Sequence, residues 1–160
     1  MNDSFLKLHQ NMAKKQFIDV AFDFQIWGIN SNMEDYRFCL NLNQYLDWNF
    51  KRVHDIEFYS PQIKAFKHFN AYKYKNEADF YTLELIQNKN SGNILIPELK
   101  NFDFLFLLNG EEDYFEQKEF TDLLAKIPGV QSAIQIDVNS LKSKHNLLIR
   151  HFNEQYKKKN

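Results

Sequence analysis

Between the polar corners Lys100-Asn101 and Asn109-Gly110, the chain runs FDFLFLL from Phe102 to Leu108, apolar at every position except Asp103. A strand with one wet face alternates apolar and polar residues, whereas an unbroken apolar run between turns reads as a strand buried on both faces. Such a strand forces the rest of the chain to cover it. Ile94 to Glu98 (ILIPE) supplies a neighbouring strand. Pro97 has no N–H for a central ladder, which places it at that strand's end or edge and leaves Leu99 free to turn back towards the core.

The strands on either side follow from alternation and punctuation. From Asp19 to Gly28, Val20, Phe22, Phe24 and Ile26 point one way and Asp19, Asp23 and Gln25 the other, which predicts a strand with one wet face. Val53–Tyr59, ended by Ser60-Pro61, then Phe66–Lys75 and Phe80–Gln87 read as further strands, and the loop Asn88–Asn93 returns the chain antiparallel. Val130–Val138 closes the set, with Val130, Ile134, Ile136 and Val138 inward. The strand, helix, strand order from Phe102 to Val138 implies a crossover onto the same sheet.

Helices are marked by period and by caps. Ser31 stands three residues before Glu34, the spacing of a capping box, and predicts a helix over Asn32–Asp47 with Tyr36, Cys39, Leu40, Asn43 and Leu46 on its inner stripe. Glu111, Glu112 and Asp113 open a second helix whose buried stripe is Phe120, Leu123, Leu124 and Ile127, stopped by Pro128-Gly129. Leu141, His145, Leu148, Ile149, Phe152 and Tyr156 recur at helical spacing and predict a C-terminal helix. The expected architecture is α+β: a single mainly antiparallel sheet with helices packed on one face, a two-layer sandwich. With 160 residues and no linker, one domain spans 1–160. Residues 1–16 form either a short helix or a loose N-terminal arm, and 153–160 form a frayed basic tail.

Charge excludes one large class of partner. Twenty basic and 21 acidic residues give a net charge of −1, too little field to hold a phosphate backbone, so nucleic acid is disfavoured as a partner. The first 15 residues carry no apolar core of a signal peptide, and no apolar run is long enough to cross a bilayer, so the expected location is cytoplasmic with no membrane partner. The single cysteine, Cys39, cannot form an internal disulfide and sits on an expected buried stripe, where a packed thiol is the natural role.

Candidate chemistry is thin. Glu98 and Asp103 flank the corner at Pro97, and two carboxylates close in space can share a proton or bind a cation; Asp103 interrupts an apolar run and needs a partner if buried. The plain alternative is that Glu98 ends a strand in water and Asp103 caps a turn. Asp35, Tyr36 and Arg37 offer an acid, a phenol and a cation in one turn, but residues two apart on a helix do not share a face, so Asp35 and Arg37 are weighed separately as anion or partner contacts. Lys142 and Lys144, with Arg150 and the Lys157–Lys159 tail, make the one local basic cluster, which suits phosphate or a solvated helix face. His9, His54, His68, His145 and His151 show no paired metal spacing, and no glycine-rich phosphate loop or nucleophile elbow is present, so no metal or cofactor is expected. Tyr72, Tyr74 and Tyr81 on adjacent strands read as cross-strand packing rather than a base-stacking platform.

Ile96, Pro97 and Glu98, followed after Leu99, Lys100 and Asn101 by Phe102, Asp103 and Phe104, resemble the motif of the IPExxxVDY family of small bacterial proteins. Gly28–Leu40 (GINSNMEDYRFCL) and Leu141–Leu148 (LKSKHNLL) resemble two further segments of that family, so the likeness runs over 22–149. Phe102 stands where the motif has Val, and Phe104 where it has Tyr, so no role of that tyrosine's hydroxyl carries over. The resemblance implies no reaction, cofactor or catalytic residue.

Three functions are compatible with these residues. A non-enzymatic protein-interaction or accessory module, binding a protein partner or a second copy through a sheet edge or aromatic patch, is the leading expectation. An RNA- or ribosome-associated accessory protein would use the basic C-terminal helix. An enzyme would use Glu98 and Asp103.

Overall fold

The computed structural model describes residues 22–78, 81–110 and 116–148. Its centre is a six-stranded sheet in the order β10-β1-β9-β6-β5-β2, with every neighbouring pair antiparallel. The strands are β1 (Phe24–Asn30), β2 (Lys51–Arg52), β5 (Ala71–Asn76), β6 (Tyr81–Gln87), β9 (Phe104–Asn109) and β10 (Ser132–Ile136); β3 (Ile56–Ser60) and β4 (Ala65–Phe69) form a separate hairpin, and β7 (Lys89–Asn90) with β8 (Asn93–Ile94) a smaller one. Helix α1 (Asp35–Leu46) follows β1, and α2 (Gln117–Ala125) joins β9 to β10. Because β9 and β10 are both antiparallel to β1, which lies between them, they run parallel, and α2 is the crossover the strand, helix, strand order implied.

The apolar run does what its composition demands: Phe104 to Leu108 are all buried. Phe104, Phe106 and Leu108 face α1 and α2 together with Trp27, Ile29, Leu83 and Leu85. Leu105 and Leu107 face the other way with Phe24, Ile26 and Ile86. At about 1.5–3 kcal/mol for each fully buried large side chain, such a strand is stable only if both faces are sealed. Both α-helices cover one face. The second face is sealed by the β3–β4 hairpin through Ile56 and Phe69, by Leu95, Ile96 and Leu99, and by Val138, Leu141, Leu147 and Leu148. An irregular layer thus lies where no helix had been expected.

On the helix side, Trp27 packs against Phe120 in a tilted arrangement, centroids 4.8 Å apart, and donates its indole N–H to Thr121 at 2.8 Å. Phe38 meets Phe104 at 4.9 Å, and Trp48 stacks on Tyr74 at 5.7 Å. The stripe of α2 is as expected, with Phe120, Leu124 and Ile127 buried and Leu123 packed against them.

Several local expectations are corrected. The inner stripe of α1 is Asp35, Phe38, Cys39 and Leu42, while Tyr36 and Leu40 are more than half exposed. Asn43, expected on that stripe, clamps the helix to the next segment by donating to the Phe50 carbonyl and accepting from its N–H. The capping box does not close: Glu34 makes no capping bond, and the Ser31 hydroxyl accepts from the N–H of Met33 instead. Trp27 and Ile29 fill the face of β1 expected to be wet. Val53–Tyr59 yields only Ile56–Ser60, and Phe66–Lys75 breaks at Asn70 into β4 and β5. Ile94–Glu98 is not a strand beyond Ile94; Pro97–Leu99 forms a 3-10 turn with proline in its first positions, where a missing N–H costs nothing. Ile134, expected inward, is exposed: on this outermost strand neither cluster of buried side chains reaches it, whereas Ile136 packs against the second-face cluster. In place of the first turns of a C-terminal helix there is a 3-10 segment, Lys144–Leu148. The arm at 1–16, the first residues of the Asp19–Gly28 strand, the acidic opening at 111–113, Arg150 and the tail at 153–160 lie outside the described residues.

Candidate functional site

The corner from Leu95 to Asp103 is built around Asn88, the first residue after β6. Asn88 is fully buried. Its side-chain N–H₂ donates to the carbonyls of Leu99 (2.8 Å) and Phe102 (3.0 Å), and its side-chain oxygen accepts from the Ile96 N–H (3.0 Å). Its backbone N–H donates to the Asp103 carbonyl, and its carbonyl accepts from the Leu95 N–H. Five bonds from one residue thus satisfy the turning backbone from Leu95 to Asp103, groups that no ladder pairs and that would be costly to bury bare. Phe102 then lies on Gly28: a Cβ at Gly28 would stand 2.5 Å from the Phe102 ring.

Asp103 and Glu98 serve this corner in different directions. One oxygen of Asp103 accepts from the Ser31 N–H at 3.1 Å, and the other from Lys89 Nζ at 2.9 Å, while its own N–H joins the Ile29 carbonyl. Glu98 reaches the opposite way and accepts from the Ser143 N–H at 2.7 Å, linking the corner to the segment after β10. Burial works against the Glu98 charge, but N–H groups of its own residue, Ser143 and Lys142, with the Ser143 hydroxyl, outweigh it and hold the carboxyl below its ordinary range. Each carboxylate is committed to backbone N–H groups of a different segment, the pattern of turn fixation. Pro97 is exposed at the start of its 3-10 turn.

The second candidate group is separated by the helix. Arg37 is exposed, its guanidinium 5.8 Å over the Tyr36 ring. Asp35 turns inward, where one carboxylate oxygen accepts from Tyr72 Oη (2.7 Å) and Asn70 Nδ2 (2.8 Å). Burial pushes the Asp35 carboxyl up, and the bonds from Tyr72 and Asn70, the Tyr36 N–H and the Arg52 charge more than offset it, so it is held below its ordinary value of 3.8. Burial and the adjacent Asp35 push the Tyr72 phenol up. The same two causes push the Cys39 thiol up to about 11, so this buried cysteine is a packed neutral group rather than a nucleophile. Arg52 extends the chain of contacts outward, donating to Asn70 Oδ1 and to Asp55. Tyr72, Asn70 and Arg52 had no sequence signal, because they lie 17 to 37 residues from Asp35 and meet it only through the sheet.

The basic residues do not converge. Lys142 is exposed, whereas Lys144 folds over Phe22 with its ammonium 4.8 Å from the ring centroid. Of Tyr72, Tyr74 and Tyr81, the first and last are buried and the middle one is stacked under Trp48, so the three do not form an open platform.

The sheet edges differ sharply. β2 is two residues long, Lys51-Arg52, charged and exposed, which protects that edge from pairing. β10 is SAIQI, five residues without charge or proline, and no described strand pairs with its outer side. Ile134 at its midpoint is 51% exposed. At its end, Gln135 and Val138 join Phe24, Gln25 and Leu108 around a cavity of about 470 Å³. The side-chain oxygen of Gln25 is buried with no hydrogen-bond partner among the described residues. No helix of the described residues is long and apolar enough to cross a membrane. No family model, curated protein or solved structure matches the chain.

Proposed function

We propose that this protein is a non-enzymatic protein-interaction module that takes an extended segment of a partner protein as an added strand along β10. The observation that carries this reading is the outer edge of β10, with which no described strand pairs and which carries no charge or proline, beside a second edge that is short and charged. Edge addition gains affinity from main-chain hydrogen bonds and specificity from pockets for alternate side chains. Ile134 supplies the apolar contact, and the cavity beyond Gln135 offers a pocket to a side chain of the added strand. The partner segment is therefore extended, with an apolar side chain to meet Ile134. A cytoplasmic setting agrees with the reading. Kinship with the IPExxxVDY proteins, inferred from the residues quoted above, is compatible with it, because the corner that carries the motif serves the fold.

The test is a pull-down from native lysate with and without nuclease, comparing the wild type with Ile134→Lys and Ile134→Val. Losing the burial of Ile134's exposed half, about 1 kcal/mol, and placing a charge on the edge together weaken binding by roughly tenfold or more. A stoichiometric, nuclease-resistant partner lost with lysine and kept with valine supports edge docking. A partner set equal across all three proteins, or one that nuclease abolishes, overturns it; the latter returns attention to Lys142 and Lys144 and to RNA.

A further inference from the structure

The β3–β4 hairpin brings together three side chains that no motif spacing connects. Asp55 lies in the linker just before β3, and Glu57 is the second residue of that strand. His68 on β4 is the cross-strand partner of Glu57. The ligand atoms of all three lie within 4.8 Å of one another. His68 Nδ1 stands 3.3 Å from Glu57 Oε1. Two donors on a tetrahedral ion with bonds of about 2.0–2.2 Å stand about 3.4 Å apart, so this pair already has the spacing of one coordination edge.

Orientation is provided from behind. Arg52 holds one oxygen of Asp55 at 2.6 Å. Arg52 is itself fixed by Asn70, whose amide is anchored on the buried Asp35. Carboxylate ligands of metal sites are typically held by such outer hydrogen bonds. The position of His68 is set by Asn90, which donates to its backbone carbonyl at 2.8 Å. One imidazole with two carboxylates favours a borderline first-row ion over calcium or magnesium, which take oxygen donors. All three side chains keep a solvent-facing side, which leaves room for water to complete the coordination.

We propose that Asp55, Glu57 and His68 form a binding site for a divalent first-row transition ion of the zinc type. The ion ties the linker between β2 and β3 to β4, and so braces the hairpin that covers the second face of the sheet. The test is calorimetric titration of the full chain with zinc chloride at pH 7.5, with cobalt(II) visible spectra and thermal melts in parallel. The expected result is one equivalent bound in the micromolar range, with a rise in Tm. Glu57→Gln and His68→Ala each weaken binding tenfold or more and abolish that rise. Glu57→Gln is nearly isosteric at a part-exposed position, so it reads the site even if His68→Ala loosens the hairpin. Binding only at millimolar zinc, or an isotherm and cobalt spectrum that Glu57→Gln leaves unchanged, overturns the proposal.

Discussion

If Asn88 is the hub of the Leu95–Asp103 corner, replacing it should cost far more than replacing the charged residues beside it. Asn88→Ala removes three side-chain bonds and strips the Ile96 N–H and the Phe102 carbonyl of the partner Asn88 provides, while the Leu99 carbonyl keeps its bond from the Phe102 N–H. A buried polar group stripped of its partner costs about 1–3 kcal/mol, and relaxation at the Phe102 side eases part of it, so for two such groups the loss should be about 2–4 kcal/mol. That is a large share of a typical total of about 5–15 kcal/mol. Asp103→Asn, by contrast, keeps an oxygen for the Ser31 N–H and loses only a part-exposed pair with Lys89, worth about 0–1 kcal/mol. Urea unfolding followed by the fluorescence of Trp27 and Trp48 measures both, with an unchanged m-value as the sign that only stability moved. A loss below about 1 kcal/mol for Asn88→Ala, or a larger loss for Asp103→Asn than for Asn88→Ala, would refute the hub.

Further outcomes follow from neighbouring contacts. Gly28→Ala should destabilise by about 1–3 kcal/mol through overpacking against Phe102, and Phe102→Val should recover part of that in a double-mutant cycle; additive losses would contradict the contact. Asp35 has a lowered carboxyl in the fold, so its contribution is present above its ordinary value of 3.8 and is lost as pH falls through the lower folded value. Asp35→Asn should therefore flatten the stability profile below pH 4 relative to the wild type, measured by urea melts across pH; an unchanged acid limb would contradict it. Cys39, with its thiol pushed up to about 11, should resist iodoacetamide at pH 8 until the protein unfolds, and rapid native labelling would show that the thiol is accessible.

What the sequence revealed follows the range of the forces involved. The buried strand β9, the stripe of α2 and the crossover were legible because apolar run length, helical period and Pro128-Gly129 are local signals. The stripe of α1 was misphased: Tyr36 and Leu40 look as apolar as Phe38 and Leu42, and only the tertiary contact of Phe38 with Phe104 decides between the faces. The second face of the sheet was missed because its cover is made of turns and a detached hairpin without period. Glu98 and Asp103 were located as the polar residues of the corner, but Asn88 reads in sequence as the first residue of a polar loop, and its burial arises only when the corner folds back over it. Glu57 and His68 meet through hairpin register across 11 residues, a relation that no ligand motif encodes.

The most direct measurement of the interaction reading is amide hydrogen exchange of the protein alone and with its nuclease-resistant partner bound. Edge addition predicts that exchange slows tenfold or more within Ser132–Ile136, where outward N–H groups gain acceptors, with little change in β2. Unchanged exchange across Ser132–Ile136, with protection gathering instead on α1 or around Lys142 and Lys144, would contradict it.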